Sequence, residues 1–293
     1  TLRSHALDVA LVRVAADGDG PATVDVVPAR IEGAEAWVEA AAGLPAPDLV
    51  FPNHGDHAYA RIVLDDASLA AVPRVLPRVA DPLLRQLLWG TLWEMVRGAR
   101  FSSLEFLDLA RLALPGERDD HVLAAALDAA RGALARYVPE ERRLDEARRL
   151  VGIALAALGE VPEGDLRTLW LRGAIAAAAD AADVGALARV VDAAAGEPGG
   201  GPVVAVDRQM RWDVAALAVA HGLPGAADRL AVERAADPSD RGAREALRAE
   251  VGAPDPAVKA AAWERIHGEG YGSFQLTQAA LRGFLHAHQA ELL

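Results

Sequence analysis

From about Asp66 to the end of the chain, apolar residues recur every three to four positions in short runs separated by Gly or Pro. That period lays an apolar stripe along each of a series of short helices, and none of them can hide its stripe without a neighbour. Asp81-Pro82 supplies an N-cap with proline at the first helical position; Leu84, Leu87, Leu88, Leu92, Met95 and Val96 then share a face, with Trp89 and Trp93 beside it. Ser102-Ser103-Leu104-Glu105 has the form of a capping box opening a helix through Phe106 and Leu109 to Leu112, which Pro115-Gly116 stops. Further helices are predicted at about His121–Val138, Leu144–Leu158, Asp165–Ala181, Val184–Ala195, Gln209–His221, Ala226–Ala236, Arg241–Val251, Pro256–His267 and Phe274–Leu293. Breaks such as Gly159-Glu160-Val161-Pro162 and Gly222-Leu223-Pro224-Gly225 make the connections tight. The pattern predicts stacked αα-hairpins, a HEAT/armadillo-like solenoid. No fixed sequence period accompanies it, so the solenoid is expected to be irregular, and an irregular helical bundle stays open.

Residues before Asp66 follow a period of two. Leu7 to Val14 and Thr23 to Val27 alternate around the turn signal Asp17-Gly18-Asp19-Gly20, which predicts a hairpin. Ile31–Val38 and Asp48–Phe51 read as a third and fourth strand, and four short strands make a small β-sandwich or part of one. The expected architecture is therefore mainly α, an irregular helical solenoid preceded by a small β-sandwich, with domains at residues 1–66 and 67–293.

Composition narrows the chemistry. The 293 residues are 52% hydrophobic, enough for a sizeable core, and alanine-rich with 5% aromatics, which favours helix. A net charge of −12 makes nucleic acid and anionic membranes poor partners. The absence of cysteine removes disulfides, thiolate nucleophiles and Cys-based metal sites. No run of 18 apolar residues offers a membrane span, and Thr1-Leu2-Arg3-Ser4-His5 does not read as a secretion signal, so a cytoplasmic location is expected. Lys259 is the single lysine among 30 basic residues, a bias that reads first as the habit of a high-GC genome.

The zinc-peptidase helix motif H-E-x-x-H does not occur, nor does a G-x-S-x-G elbow, and Ser102 and Ser239 sit where helix caps are needed. Asn53-His54-Gly55-Asp56-His57 places three possible metal ligands in a turn, although a polar turn held by an Asx hydrogen bond is the commoner use of such residues. His286 and His288, two apart, would point in opposed directions on a helix. Gly199-Gly200-Gly201 lacks the Lys-Ser or Lys-Thr of a phosphate loop and reads as a linker. Glu140-Glu141-Arg142-Arg143 and Asp145-Glu146 read as a solvated face. Arginine remains as the residue for specific work, through bidentate capture of carboxylates, and Arg211 beside Trp212 is the candidate substrate-binding residue.

Pro52-Asn53-His54-Gly55-Asp56-His57-Ala58-Tyr59 through Asp65 resembles the end of the small β-sandwich domain of the aminopeptidase N family of zinc metallopeptidases. Asp81-Pro82-Leu83 through Leu88-Trp89, Leu92 to Arg97 and Phe106-Leu107 resemble the first helical hairpin of the C-terminal domain in actinobacterial members. Asp207 to Gly222, Lys259 to Trp263, Gly283-Phe284 and Gln289 to Leu293 extend the resemblance, in order, over nearly the whole chain. The resemblance implies a non-catalytic C-terminal region of an aminopeptidase that caps the catalytic domain and controls peptide access. It implies zinc for the parent enzyme and no cofactor here, since the family's H-E-x-x-H and G-x-M-E-N motifs lie N-terminal to this stretch. The implied partners are the catalytic and N-terminal domains of the same parent chain and peptide substrates. A stand-alone HEAT-like adaptor is the alternative, and a metal-dependent hydrolase using His54, Asp56 and His57 a third.

Overall fold

The computed structural model describes residues 4–15, 20–162, 164–195 and 204–293. Strands β1 (His5–Arg13), β2 (Thr23–Ile31) and β3 (Leu49–His54) precede twelve α-helices among the described residues. These are α1 (Asp66–Val75), α2 (Pro82–Arg97), α3 (Ser103–Ala113), α4 (Asp120–Arg136), α5 (Glu140–Glu160), α6 (Asp165–Ala177), α7 (Ala181–Ala195), α8 (Arg208–Ala220), α9 (Ala226–Ala236), α10 (Asp240–Val251), α11 (Pro256–His267) and α12 (Phe274–Phe284). The architecture is mainly helical with a small β region at the front, as the change of period requires. The chain divides into two compact units, Thr1–Arg143 and Leu144–Leu293.

In the first unit the strands form one antiparallel sheet in the order β2-β1-β3. β1 pairs with β2 from His5↔Ile31 to Arg13↔Thr23, the expected hairpin; its turn signal lies mostly outside the described residues. The expected four-strand sandwich is not what forms. Ile31 ends β2, and the rest of Ile31–Val38 is not a strand. The central strand is instead covered on both faces by other means. Leu7, Val9 and Leu11 lie with Val27 and Ala29 under Val38 and Ala41, whose short 3₁₀ turn replaces a second sheet. On the opposite side Ala10, Val12, Leu49 and Phe51 are buried, and β3 packs on α1. Ser68 of α1 ties the two by accepting the Val50 amide at 3.0 Å, and Asp65 caps the same helix.

Helices α1 to α4 complete this unit, with α2 and α3 both packed on α4. Trp89 is buried edge-on against Phe106, and Trp93 lies against Phe106 and Tyr137. Gly132 of α4 matters here, because a Cβ there would sit 3.0 Å from the Trp93 ring. Arg85 forks onto buried Glu117 with two 2.8 Å bonds. Burial alone would raise the Glu117 carboxyl, yet Arg85 and the Asp119 and Arg118 amides outweigh it and hold it below the usual range.

In the second unit, α6, α8, α10 and α12 pack each on the next, with α7 and α9 on α8 and α11 on α12. Alternate helices therefore form one continuous row, the arrangement of stacked αα-hairpins. The row is stitched at its C-terminal ends. Buried Lys259 of α11 donates from Nζ to the carbonyls of Val251 at 3.0 Å and Phe284 at 2.9 Å, the last residues of α10 and α12. Buried Gln289 donates from Nε2 to Ala220 O at 2.7 Å and Gly252 O at 2.9 Å, at the ends of α8 and α10. Cationic and amide donors at helix C-termini satisfy carbonyls that have no partner within the helix.

The last helix does not run from Phe274 to Leu293: α12 stops at Phe284, Leu285 and His286 are extended, and a 3₁₀ segment follows from Ala287 to Leu292. The opposed directions expected of His286 and His288 on a helix therefore do not apply, and their rings lie 5.5 Å apart. The mixed-charge face of α5 is also incomplete, since Glu146 is buried and paired with Arg149.

Candidate functional site

A cavity of about 710 Å³ lies in the second unit, lined only by α6, α8, α10, α12 and residues at their ends. Its size is that of a ligand site. Four arginines reach it, Arg172, Arg241, Arg248 and Arg282, against two aspartates, Asp207 and Asp213. Met210, Ile175 and Leu217 supply apolar wall.

The aspartates are already committed. Asp207 caps α8 by accepting the Met210 amide at 2.9 Å and pairs with Arg172 at 2.6 Å. Burial would raise its carboxyl, but that amide and Arg172 lower it, so it stays charged. Asp213 accepts from Arg248 at 2.6 Å and from Gln209 at 3.1 Å, and Arg248 also meets Glu245 at 3.2 Å. Two guanidiniums have no carboxylate partner among the described residues. Arg241 bonds only the neutral Oε1 of Gln209, at 2.5 Å, and exposed Arg282 has no hydrogen-bond or ion-pair partner among the described residues. His286 adds no charge at neutral pH, because burial first, then Lys259 and its neighbouring histidines, lowers it to about 4.

The residues that sequence reasoning selected lie elsewhere. Arg211 is half-buried on α8, does not line the cavity, and acts electrostatically on Glu233 of α9. Its neighbour Trp212 is a core residue whose Nε1 donates to buried Asp237 at 3.1 Å. In the first unit, Asn53 organises the expected turn. It takes a positive φ where the β1–β3 register shifts, and its side-chain amide exchanges two 2.8 Å bonds with the Ala58 backbone. His54 then faces Asp81 and His57 faces Asp8, so the three suspected ligands do not converge. Ser102 and Ser239 cap α3 and α10. Gly199-Gly200-Gly201 lies outside the described residues.

Sequence reasoning missed the cavity arginines because they sit on three helices far apart in the chain. One local sign was present: Arg241 and Arg248 are seven apart, two turns along one face of α10.

A family model described as the ERAP1-like C-terminal domain matches residues 49–293, from the first residue of β3 onward. The chain belongs to the ERAP1-like C-terminal domain family. Aminopeptidase N of Streptomyces lividans is 28% identical over 297 residues, covering all of this chain and 34% of the relative. The chain thus spans about a third of the length of that curated relative.

Zinc, implied for a parent enzyme, does not fit the residues of this member of the family. Among the described residues one group of potential ligands comes together, Asp119, Asp120 and His121. Asp119 is already the cap of α4, and His121 Nδ1 is engaged by Asp120 at 2.7 Å. Two carboxylates and one surface histidine are not the donor set of a catalytic zinc centre. No helix among the described residues is long and apolar enough to cross a membrane.

Proposed function

We propose that this chain is the non-catalytic C-terminal region of a zinc aminopeptidase, that it caps the catalytic domain and controls peptide access, and that its arginine cavity holds the carboxylate end of a peptide. The observation that carries the reading is a local inversion of charge. A chain with net charge −12 gathers four arginines against two aspartates around one cavity, and two of the four have no carboxylate partner among the described residues. A guanidinium is the donor best matched to a carboxylate. Family membership and the name of the Streptomyces relative support an aminopeptidase as the parent. The first unit exposes Trp37 and Tyr59 almost completely, which suits a surface meant for another domain. The division into residues 1–66 and 67–293, and a cytoplasmic location, belong to the same proposal.

The purified chain should not hydrolyse aminoacyl chromogenic substrates and should hold no stoichiometric zinc after dialysis. Chelator-sensitive hydrolysis by the pure chain would overturn the reading and favour a metal-dependent hydrolase.

A further inference from the structure

We infer that the arginine cavity selects peptides whose last residue is itself acidic, glutamate or aspartate. This deepens the carboxylate reading above and rests on it. Uncommitted charge in the cavity sets the preference. The charges of Arg172 and Arg248 are already balanced by their pairing with Asp207 and Asp213. Asp207 is held in addition by the N-terminal amide of α8, and Asp213 by Gln209. Arg241 and Arg282 are not so held. One of them satisfies the main-chain carboxylate that every peptide ends with. The other leaves one positive charge over, solvated with a neutral last residue and available to a second carboxylate.

A C-terminal glutamate or aspartate carries its second carboxylate on the same residue, one short side chain from the first. The cavity, about 710 Å³, has room for that side chain as well as the terminus. His286, on the same wall, is neutral at physiological pH and does not compete for the anion as a third cation. Arg241 and Arg282 lie on α10 and α12, which pack directly on each other and are joined by Lys259 at their C-terminal ends. The two guanidiniums are therefore presented by a fixed pair of helices.

The test is equilibrium binding to the whole 293-residue chain, by fluorescence anisotropy at low ionic strength. The probes are three N-terminally labelled nonapeptides of one sequence ending in Glu, in Gln, and in Gln amide. Both guanidiniums are exposed, so the gain is set at the level of solvent-screened pairs. The Glu peptide should bind about three- to tenfold more tightly than the Gln peptide, and the Gln peptide more tightly than its amide. Arg282→Gln and Arg241→Gln, each with an unchanged circular dichroism spectrum, should each bring the Glu-to-Gln ratio towards one. Equal binding of the Glu and Gln peptides, both above the amide, would overturn this inference and leave the carboxylate reading standing. Equal binding of Gln peptide and amide would overturn the carboxylate reading itself.

Discussion

Replacing Lys259 by methionine should destabilise the second unit by about 2–4 kcal/mol. Methionine keeps the length and most of the volume of the side chain, so packing is nearly conserved and the change isolates the ammonium. Two buried carbonyls, Val251 O and Phe284 O, lose donors at 3.0 and 2.9 Å; the Gly283 carbonyl, at 3.5 Å, is too distant to count fully. An orphaned buried acceptor costs about 1–3 kcal/mol, so two give roughly 2–6 kcal/mol. Against this, the variant no longer buries a charge, a cost seen in the pull of burial on the Lys259 pKa, which lies below the ordinary lysine value. The balance falls in the lower half of that range. Hydrogen-exchange mass spectrometry under mild urea should show lost protection at the C-terminal turns of α10 and α12 and little change in the first unit. Lys259→Arg should not rescue, because a planar five-donor guanidinium cannot converge on carbonyls placed for a tetrahedral ammonium. Unchanged protection in the methionine variant, or full rescue by arginine, would refute the claim that this lysine joins the two helices.

Three further outcomes follow from the same structure. Gly283→Ala should cost about 1–3 kcal/mol in chemical denaturation and weaken peptide binding, because a Cβ there would collide with the Arg248 carbonyl where α12 crosses α10. Trp212→Phe should cost about 1–3 kcal/mol by the same assay, since it removes the indole N–H from buried Asp237. Acidification should loosen the second unit: His221 and His286 are both lowered to about 4, by burial first, then His221 by its neighbour His288 and His286 by Lys259 and the neighbouring histidines. Their contribution to stability is full above the ordinary histidine value of 6.5 and is lost as pH falls towards 4, by roughly 1–2 kcal/mol each after allowance for solvent screening. Urea midpoints at pH 7, 5.5 and 4 check this, and a His286→Gln variant should show a shallower fall.

What the sequence disclosed is what local periodicity and capping control. The helix Ala226–Ala236 and the helix Pro256–His267 match their expected bounds, and Asp81, Ser102 and Ser239 cap as their positions require. What it did not disclose depends on contacts between distant residues. Ile31–Val38 has the alternation of a strand, but only a pairing partner could have made it one, and the sheet face it was to cover is covered by Val38 and Ala41 in a turn. Phe274–Leu293 keeps a helical period, but the chain leaves the helix at Leu285, after which Gln289 reaches the ends of α8 and α10. The same reason explains the site. Arg211 stood out for its neighbour Trp212, whereas the cavity is assembled from Arg172, Arg241, Arg248 and Arg282 by the stacking of alternate helices. Lys259, set aside as the exception in a compositional habit, is the side chain that fastens that stack.

The most direct test of the functional account is the binding of one free-acid nonapeptide ending in Glu to the native chain, to Arg282→Gln and to Arg211→Gln, with its C-terminal amide as reference. The account predicts that the amide and the Arg282 variant each weaken binding by about fivefold or more, as loss of a charge-assisted pair should, while the Arg211 variant stays within twofold. Tight binding of the amide, or a loss confined to the Arg211 variant, would contradict it.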